Sequence, residues 1–203
     1  MRSLVRLLGA GLLVGSSMIA NAQSGYEVLE TPLRTAKADK VEVVEFFWYG
    51  CAHCFRFEPY IKAWKKNLPD NVEFVHAAPP LNPAWKVHSQ AFYAAKVMGI
   101  ADQLHEPMFN AIHIDKKPMR KPKDIVKLVE SLGLDGKKFQ KAMKSFNVDA
   151  KLRQSTKLAI NAGINSVPTM LINGKYRTSE SIAGSYENLI KVLSDLVEQE
   201  SAQ

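Results

Sequence analysis

The sequence lacks an apolar run long enough to cross a membrane comfortably. The stretch from Leu7 to Ile19 is interrupted by glycine and serine, and it is shorter than the roughly 20 residues that a spanning helix needs. Arg2 and Arg6 precede this stretch and the small residues Ala20-Asn21-Ala22 follow it, a pattern typical of a secretory signal peptide. We therefore predict a signal peptide over residues 1–22, cleaved before Gln23, rather than the alternative of a membrane anchor.

Cysteine is also scarce, because Cys51 and Cys54 are the only two in 203 residues. Small exported proteins that depend on disulfides for stability carry a larger framework of them. A bridge between residues three positions apart closes almost no loop and restricts the unfolded chain very little. Reactivity is the better explanation for two such thiols in an oxidising compartment. Neither lies near the predicted cleavage point, where a lipid would be attached, so we expect a soluble mature chain.

Charge of one sign is not extreme. The formal net charge is +7, and Arg2 and Arg6 of the predicted signal peptide contribute to it. This moderate excess does not by itself indicate nucleic-acid binding. Internal repeats and low-complexity tracts are absent from the sequence, and the roughly 180 residues after the signal peptide are enough for one substantial core or a small domain with an insertion.

Apolar patterning divides the chain into strands and helices. The nearly continuous apolar run from Val41 to Trp48 indicates a central strand covered on both faces, and the cysteines follow it directly. From Ala52 to Lys66 apolar residues recur at helical spacing, and we expect Pro59 to kink this helix rather than end it. The later elements are a strand at 71–76, a helical region, a helix at about 149–162, a hairpin turning at Asn173-Gly174 and a final amphipathic helix.

The order of these elements predicts a mixed sheet with helices on both faces. Without the helical region the chain forms a β-α-β unit, which the right-handed crossover rule makes parallel, followed by a β-β-α unit. The reactive pair then lies where the central strand gives way to a helix. We predict one α/β domain formed by residues 23–82 and 151–203, with residues 83–150 inserted as a helical domain.

Two segments and the element order resemble the thioredoxin superfamily, and within it the DsbA-like periplasmic oxidases. The segments are residues 46–54, which end in Cys51-Ala52-His53-Cys54, and residues 163–169, which end in Val167-Pro168-Thr169. The resemblance implies a thioredoxin fold interrupted by a helical insertion domain, a periplasmic location, and disulfide exchange without a cofactor beyond the Cys51–Cys54 disulfide. The dipeptide usual in this family is Pro-His, so Ala52 leaves the oxidising strength open.

We predict that Cys51 is the nucleophile and that Cys54 is its more buried partner. A residue at the start of a helix faces unpaired backbone N–H groups and the positive end of the helix dipole. The dipole contributes about 0.3 to 2 kcal/mol, which accounts for a pKa shift of about one unit. His53 and the N–H groups of residues 53 and 54 are expected to lower the thiol pKa further. A stabilised thiolate favours the reduced form and makes the protein an oxidant.

The resemblance also implies roles for Glu45, Val167 and Pro168. Glu45 is a carboxylate among apolar strand neighbours, and it matches the family's buried acid beneath the site. We predict that it relays protons to or from Cys54, with a solvent-facing charge as the alternative. No lysine partner for it is evident. Pro168 is expected to be cis and, with Val167, to present backbone groups to an extended substrate segment.

The remaining histidines show no metal-ligand spacing with one another, so we predict no metal site among them. They are expected to be core or surface residues: His76, His88, His105 and His113.

Two surface features near the site have open interpretations. The basic run from Lys116 to Lys123 is broken by two prolines, and we predict a solvated loop, with an electrostatic docking patch as the alternative. Trp48, Phe55 and Pro79 are expected to be exposed apolar residues that bind unfolded chains or a membrane partner, although core packing is an alternative for some of them.

The predicted function is donation of the Cys51–Cys54 disulfide to reduced, unfolded exported proteins through a mixed disulfide. The resemblance implies reoxidation by a quinone-linked inner-membrane partner of the DsbB type. We expect a monomer that binds no nucleic acid. One rival is a disulfide isomerase or reductant of the same fold. The other is a non-enzymatic metal carrier using Cys51, His53 and Cys54, although three ligands on one helical turn make a poor zinc site.

Overall fold

The computed structural model describes residues 25–202, and the predicted signal peptide lies outside them. The elements, in chain order, are β1 (Glu27–Val28), β2 (Val41–Phe46), α1 (Ala52–Lys65), β3 (Val72–Ala77), α2 (Lys86–Met98), α3 (Ala101–His113), α4 (Pro122–Ser131), α5 (Gly136–Met143), α6 (Phe146–Asn161), β4 (Thr169–Ile172), β5 (Tyr176–Thr178), α7 (Glu180–Ala183) and α8 (Tyr186–Ser201). None of the helices described between residues 25 and 202 has the length and apolar character needed to cross a bilayer.

The five strands form one mixed sheet in the order β1-β5-β4-β2-β3. β2 is parallel to β3 and antiparallel to β4, while β5 is antiparallel to both β4 and β1. Five of the six residues of β2 are buried, as expected for a strand covered on both faces. The short strand β1 was not predicted, because two residues carry no readable periodicity.

Alternate residues of β2 pack against different helices. Val43 lies in a core with Phe57 and Ile61 of α1 and with apolar residues of α8. Val44, on the opposite face, packs against Ala159 of α6. Helices therefore cover both faces, and the predicted fold class, a thioredoxin fold with a helical insertion, is confirmed.

Helices α2 to α6 lie between β3 and β4 in sequence and share a separate core, in which Phe92 and Phe109 are almost fully buried. Phe47 and Tyr49, from the segment that follows β2, belong to the same core. The chain thus ties the end of its central strand into the helical region. Helix α6 runs through residue 150, so the predicted division at that position falls within one helix, and the domain boundaries stay a prediction.

Local details follow the sequence with a few departures. β2 ends at Phe46 instead of Trp48, because the N–H of Cys51 donates to the Trp48 carbonyl and turns the chain. The Asn173-Gly174 turn has positive φ at both residues, as an Asn-Gly hairpin requires. The expectation that Pro79 is exposed was wrong. The neighbouring N–H of Ala78 donates to the buried hydroxyl of Tyr93, which holds this segment under α2.

Candidate active site

The two cysteines lie at the first turn of α1, and both are free thiols. Cys51 is the N-cap residue, and its sulfur accepts a hydrogen bond from the backbone N–H of Cys54 at 3.1 Å. The thiol of Cys51 also lies 3.4 Å from the carbonyl oxygen of Val167, to which it donates. Cys54 is fully buried, whereas Cys51 is half-buried. An incoming sulfur therefore has access to Cys51 alone.

The surroundings of the two thiols shift their pKa values in opposite directions. Hydrogen bonding with Cys54 is the largest influence on Cys51, and with the N–H groups of residues 53 and 54 and the charge of His53 it lowers the Cys51 pKa to about 7, against the opposing effect of burial. Burial, followed by the proximity of Cys51, raises the Cys54 pKa well above its usual value. The site is built to hold a thiolate at Cys51 and a protonated thiol at Cys54.

One of a pair of stacked rings lies in the segment that leads from β2 into Cys51. The indole of Trp48 lies flat on that of Trp85, with ring centroids 4.7 Å apart and planes 7° from parallel. A β-carbon on Gly50 would collide with the Trp48 ring, so any larger residue there would displace that ring. Phe55 stacks on His113 at 4.8 Å. Trp48 and Phe55 are thus half-buried aromatic residues at the edge of the site.

The segment before β4 forms the other side of the site. The Val167–Pro168 peptide bond is cis, as predicted. The hydroxyl of Thr169 donates to the Ser166 carbonyl at 2.8 Å and fixes the residues on either side of the proline. The structure therefore brings Val167 next to Cys51, across 116 positions of sequence.

His53 lies on the outer side of the pair and has two partners that the sequence did not indicate. Its Nδ1 is 3.0 Å from a carboxylate oxygen of Glu180, at the start of α7, and its carbonyl accepts a hydrogen bond from the hydroxyl of Tyr186 at 3.1 Å. Both partners are more than 120 positions away and belong to no recognisable motif. No pattern in the sequence points to them.

Glu45 is a residue of β2 and is fully buried, so the alternative of a solvent-facing charge is wrong. It is the direct cross-strand neighbour of His76, and its Oε2 is 3.3 Å from Nε2 of that histidine. Burial is the main reason that the Glu45 pKa rises to about 8. Burial likewise lowers the pKa of His76 well below its usual value. His76 therefore lies beside Glu45, for which the sequence indicated no lysine partner.

Two further residues complete a group that we call the histidine–carboxylate cluster, namely Glu45, Glu58, His76 and His105. Nε2 of His105 lies 3.1 Å from Oε1 of Glu58, and its Nδ1 lies 3.2 Å from the hydroxyl of Tyr49. The rings of His76 and His105 are 4.6 Å apart between centroids. The fold brings together side chains whose spacing in the sequence gave no sign of contact.

Comparisons with known proteins agree with this geometry. A family model described as a DSBA-like thioredoxin domain matches residues 86–189. The thiol:disulfide interchange protein DsbA of Azotobacter vinelandii is 41% identical over 179 residues, which cover 88% of this chain and 84% of that protein. The protein of the same name from Burkholderia cepacia is 38% identical over 193 residues, covering 95% of this chain and 91% of that protein.

Solved structures give the same result. The crystal structure of Pseudomonas aeruginosa DsbA is similar with a TM-score of 0.84 and 36% identity, covering 88% of this chain and 93% of that chain. Proteus mirabilis DsbA, solved as a variant with the non-covalently bound peptide PWATCDS, is similar with a TM-score of 0.74 and 27% identity, covering 88% of this chain and 96% of that chain. The chain belongs to the DsbA family of thiol:disulfide oxidoreductases.

Proposed function

We propose that this thiol:disulfide oxidoreductase works as an oxidant, donating a Cys51–Cys54 disulfide to reduced, unfolded proteins exported to the periplasm. The observation that carries the proposal is the N–H of Cys54 directed at the Cys51 sulfur, at 3.1 Å. Stabilising the Cys51 thiolate stabilises the reduced enzyme, which makes its disulfide easier to reduce. A pKa of Cys51 near 7 supports that direction.

The reaction begins with attack of a substrate thiolate on the Cys51 sulfur. The Cys51–Cys54 bond breaks, Cys54 leaves with the electron pair and takes up a proton, and a mixed disulfide joins Cys51 to the substrate. A second substrate thiolate then attacks the substrate sulfur of this mixed disulfide and releases Cys51 as a thiolate. Two electrons pass from the substrate to the enzyme. The substrate leaves with a disulfide, and the enzyme remains as a dithiol.

Three residues support this sequence of steps. We assign Glu45, buried in β2, to proton exchange with Cys54; its charge is close enough to influence the Cys54 thiol. Val167 and Pro168 present backbone groups beside Cys51, where an extended peptide can pair with them. The similar Proteus mirabilis protein was solved with a non-covalently bound peptide, which supports peptide binding as an activity of this chain.

The enzyme needs a redox partner to work catalytically, because each turnover leaves a dithiol. We assign this role to a quinone-linked membrane protein of the DsbB type, with the enzyme acting as a monomer. Its surface near the pair, with half-buried Trp48 and Phe55, offers apolar contacts to an unfolded substrate.

The deciding experiment is measurement of the redox potential against glutathione, together with oxidation of a reduced, unfolded substrate. We expect stoichiometric oxidation by the disulfide form and a potential clearly above that of thioredoxin, which is about −270 mV. Cys51→Ser is expected to abolish oxidation. A potential close to that of thioredoxin would instead indicate a reductant.

A further inference from the structure

Part of the histidine–carboxylate cluster has no place in the disulfide reaction. One oxygen or nitrogen atom from each of Glu58, His76 and His105 can be chosen so that all three atoms lie within 4.8 Å of one another. The three residues belong to α1, β3 and α3, so the group joins the sheet to the helical region. They line a cavity of about 210 Å³, and their side chains are between 14% and 21% exposed. A small ion can therefore reach them from solvent.

We propose that Glu58, His76 and His105 bind one divalent transition-metal ion of the zinc type. Zinc takes imidazole nitrogens and carboxylate oxygens as ligands, and sites with three protein ligands keep a fourth position for water. Ligand atoms about 2.0 to 2.2 Å from a tetrahedral ion stand about 3.4 Å from one another. The 3.1 Å separation between His105 and Glu58 is already close to this value, and because all three ligand atoms lie within 4.8 Å of one another, His76 would have to move by about 1.4 Å or less.

Glu45 provides an independent indication that a polar or charged partner belongs here. Its carboxylate is fully buried, and among the residues that the structure describes neither of its oxygens has a hydrogen-bond partner. The same holds for Nε2 of His76, which lies 3.3 Å away without hydrogen-bond geometry. A buried polar atom without a partner costs about 1 to 3 kcal/mol. An ion bound to the His76 ring would use one of its nitrogens as a ligand and would place a positive charge beside the buried carboxyl group of Glu45.

Tyr49 orients one of the proposed ligands. Its hydroxyl lies 3.2 Å from Nδ1 of His105, which leaves Nε2 of that ring directed at Glu58. Metal-binding histidines in proteins commonly use their second ring nitrogen in this way, and the contact fixes the tautomer and the ring orientation.

Lysines on the same cavity oppose a cation. Lys62, Lys65 and Lys96 line it, and Lys62 is paired with Glu106 at 2.9 Å. With three protein ligands and these positive neighbours, we expect weaker binding than in a closed structural zinc site. A hydrogen-bonded network without metal accounts for the Glu58–His105–Tyr49 contacts, but it leaves Glu45 and His76 unsatisfied.

The test uses the full mature protein in its disulfide form, treated with a chelator and then titrated with Zn²⁺ and, separately, Co²⁺. The disulfide form is chosen because free Cys51 and Cys54 thiolates bind such ions themselves. We expect one equivalent of either ion to bind, visible Co²⁺ bands without the intense thiolate-to-cobalt absorption, and a melting temperature that rises with Zn²⁺ concentration. Absence of saturable binding by the disulfide form would overturn the proposal.

Variants locate the site. His105→Ala and Glu58→Gln are each expected to weaken Zn²⁺ binding by about tenfold or more, because the first removes a ligand nitrogen and the second replaces a carboxylate with a weaker, neutral ligand. Glu106→Gln is the matched control, since this carboxylate lines the same cavity outside the ligand group, and it should leave the affinity within about twofold. Equal binding by His105→Ala and the parent protein would place the ion elsewhere.

A measurement on the parent protein covers the case in which a variant does not fold. X-ray absorption of the Zn²⁺-loaded disulfide form should show two imidazoles and no sulfur around the ion, and a sulfur ligand or a single imidazole would contradict the assignment. None of these readouts depends on thiol chemistry. The metal site and the proposed oxidase function can therefore fail independently.

Discussion

The surroundings of Cys51 and the histidine–carboxylate cluster lie at the same end of β2 and have opposite effects on a negative charge. Around Cys51, backbone N–H groups at the start of α1 stabilise an anion and lower the thiol pKa to about 7. In the histidine–carboxylate cluster, burial penalises an anion and raises the pKa of Glu45 to about 8. Backbone donors at the start of α1 stabilise the thiolate, whereas the buried acid has none among the described residues. A fold can thus place a stabilised and a destabilised anion side by side by adjusting donors and burial.

The regions also differ in where the groups that shift their pKa values come from. The groups that lower the Cys51 pKa belong to the first turn of α1, although Val167 and Glu180 also reach this site from far along the chain. The cluster joins residues from β2, α1, β3 and α3. Damage to long-range packing should therefore disturb the cluster while the thiol chemistry keeps its local support.

The largest effect is expected for Cys54→Ser, which breaks the cysteine region without touching the cluster. Oxidation of a reduced substrate should fall to background, because no disulfide can form within the enzyme. Incubation with oxidised glutathione should leave a stable mixed disulfide on Cys51, detectable by mass spectrometry, since no internal thiol displaces it. The control is Cys51→Ser, in which the remaining thiol of Cys54 is fully buried and should react slowly. Comparable adduct formation by both variants would contradict the division of roles.

Phe47→Ala should damage the cluster and spare the thiol. Phe47 is 1% exposed, and its ring contacts those of His76, His105 and Phe92. Removing it should lower the free energy of unfolding by about 3 to 5 kcal/mol, measured by urea denaturation.

The control for this variant is Phe146→Ala, because Phe146 is 76% exposed and its loss should change the stability by about 0.5 kcal/mol or less. The Cys51 pKa of folded Phe47→Ala should stay near that of the parent protein. A large shift in that pKa would show that the two regions are not separable.

The pH dependence of stability isolates the thiol region. Because the folded-state pKa of Cys51 is lowered from 9.0 to about 7, the folded reduced protein binds fewer protons than the unfolded chain between these values. The stability of the reduced form should rise from pH 7 to pH 9 relative to the disulfide form, and this gain is lost as the pH falls through 7.

The slope is at most about 1.4 kcal/mol per pH unit, and solvent screening at the half-buried sulfur reduces it. Thermal unfolding of both redox forms across this range measures the difference. The raised pKa of Cys54 opposes the gain only above the usual range of a thiol. A difference that does not change with pH would contradict the lowered pKa of Cys51.

The smallest effect is expected for His53→Gln. The charge of His53 lowers the Cys51 pKa less than the hydrogen bonds from Cys54 and from backbone N–H groups do. The Cys51 pKa should therefore rise by less than one unit, and the redox potential should fall by less than about 30 mV. Ultraviolet thiolate absorbance and equilibration with glutathione measure the two quantities. A larger shift would mean that charge, and not backbone hydrogen bonding, controls the thiol.

The position of Cys51 at the start of a helix could be predicted from the sequence because neighbouring residues determine it. Cys51 and Cys54 at the end of an apolar strand, followed by a helical pattern, were enough to place a thiol at a helix start. The resemblance carried by Val167-Pro168-Thr169 supplied the opposite side of the site and the overall fold. The Asn173-Gly174 turn was readable for the same reason, since two residues determine its backbone geometry.

The histidine–carboxylate cluster could not be predicted from the sequence because it depends on strand register and helix packing. Glu45 faces His76 since β2 and β3 pair in parallel with these two residues in register, and no spacing rule yields that register. His105 reaches the group through the packing of α3, which periodicity alone does not orient relative to the sheet. Glu180, the partner of His53, depends in the same way on where α7 docks.

The contact between Cys51 and Val167 also governs when the enzyme becomes complete as it folds. The chain is made from its N-terminus, so the cysteine pair emerges long before the segment that lies beside it, 116 positions later. The pairing of β2 with β4 must close a long loop before its contacts form. A partly folded chain thus carries its two thiols before Val167 and Pro168 are in place beside them. Catalytic competence is acquired when the last quarter of the chain joins the sheet.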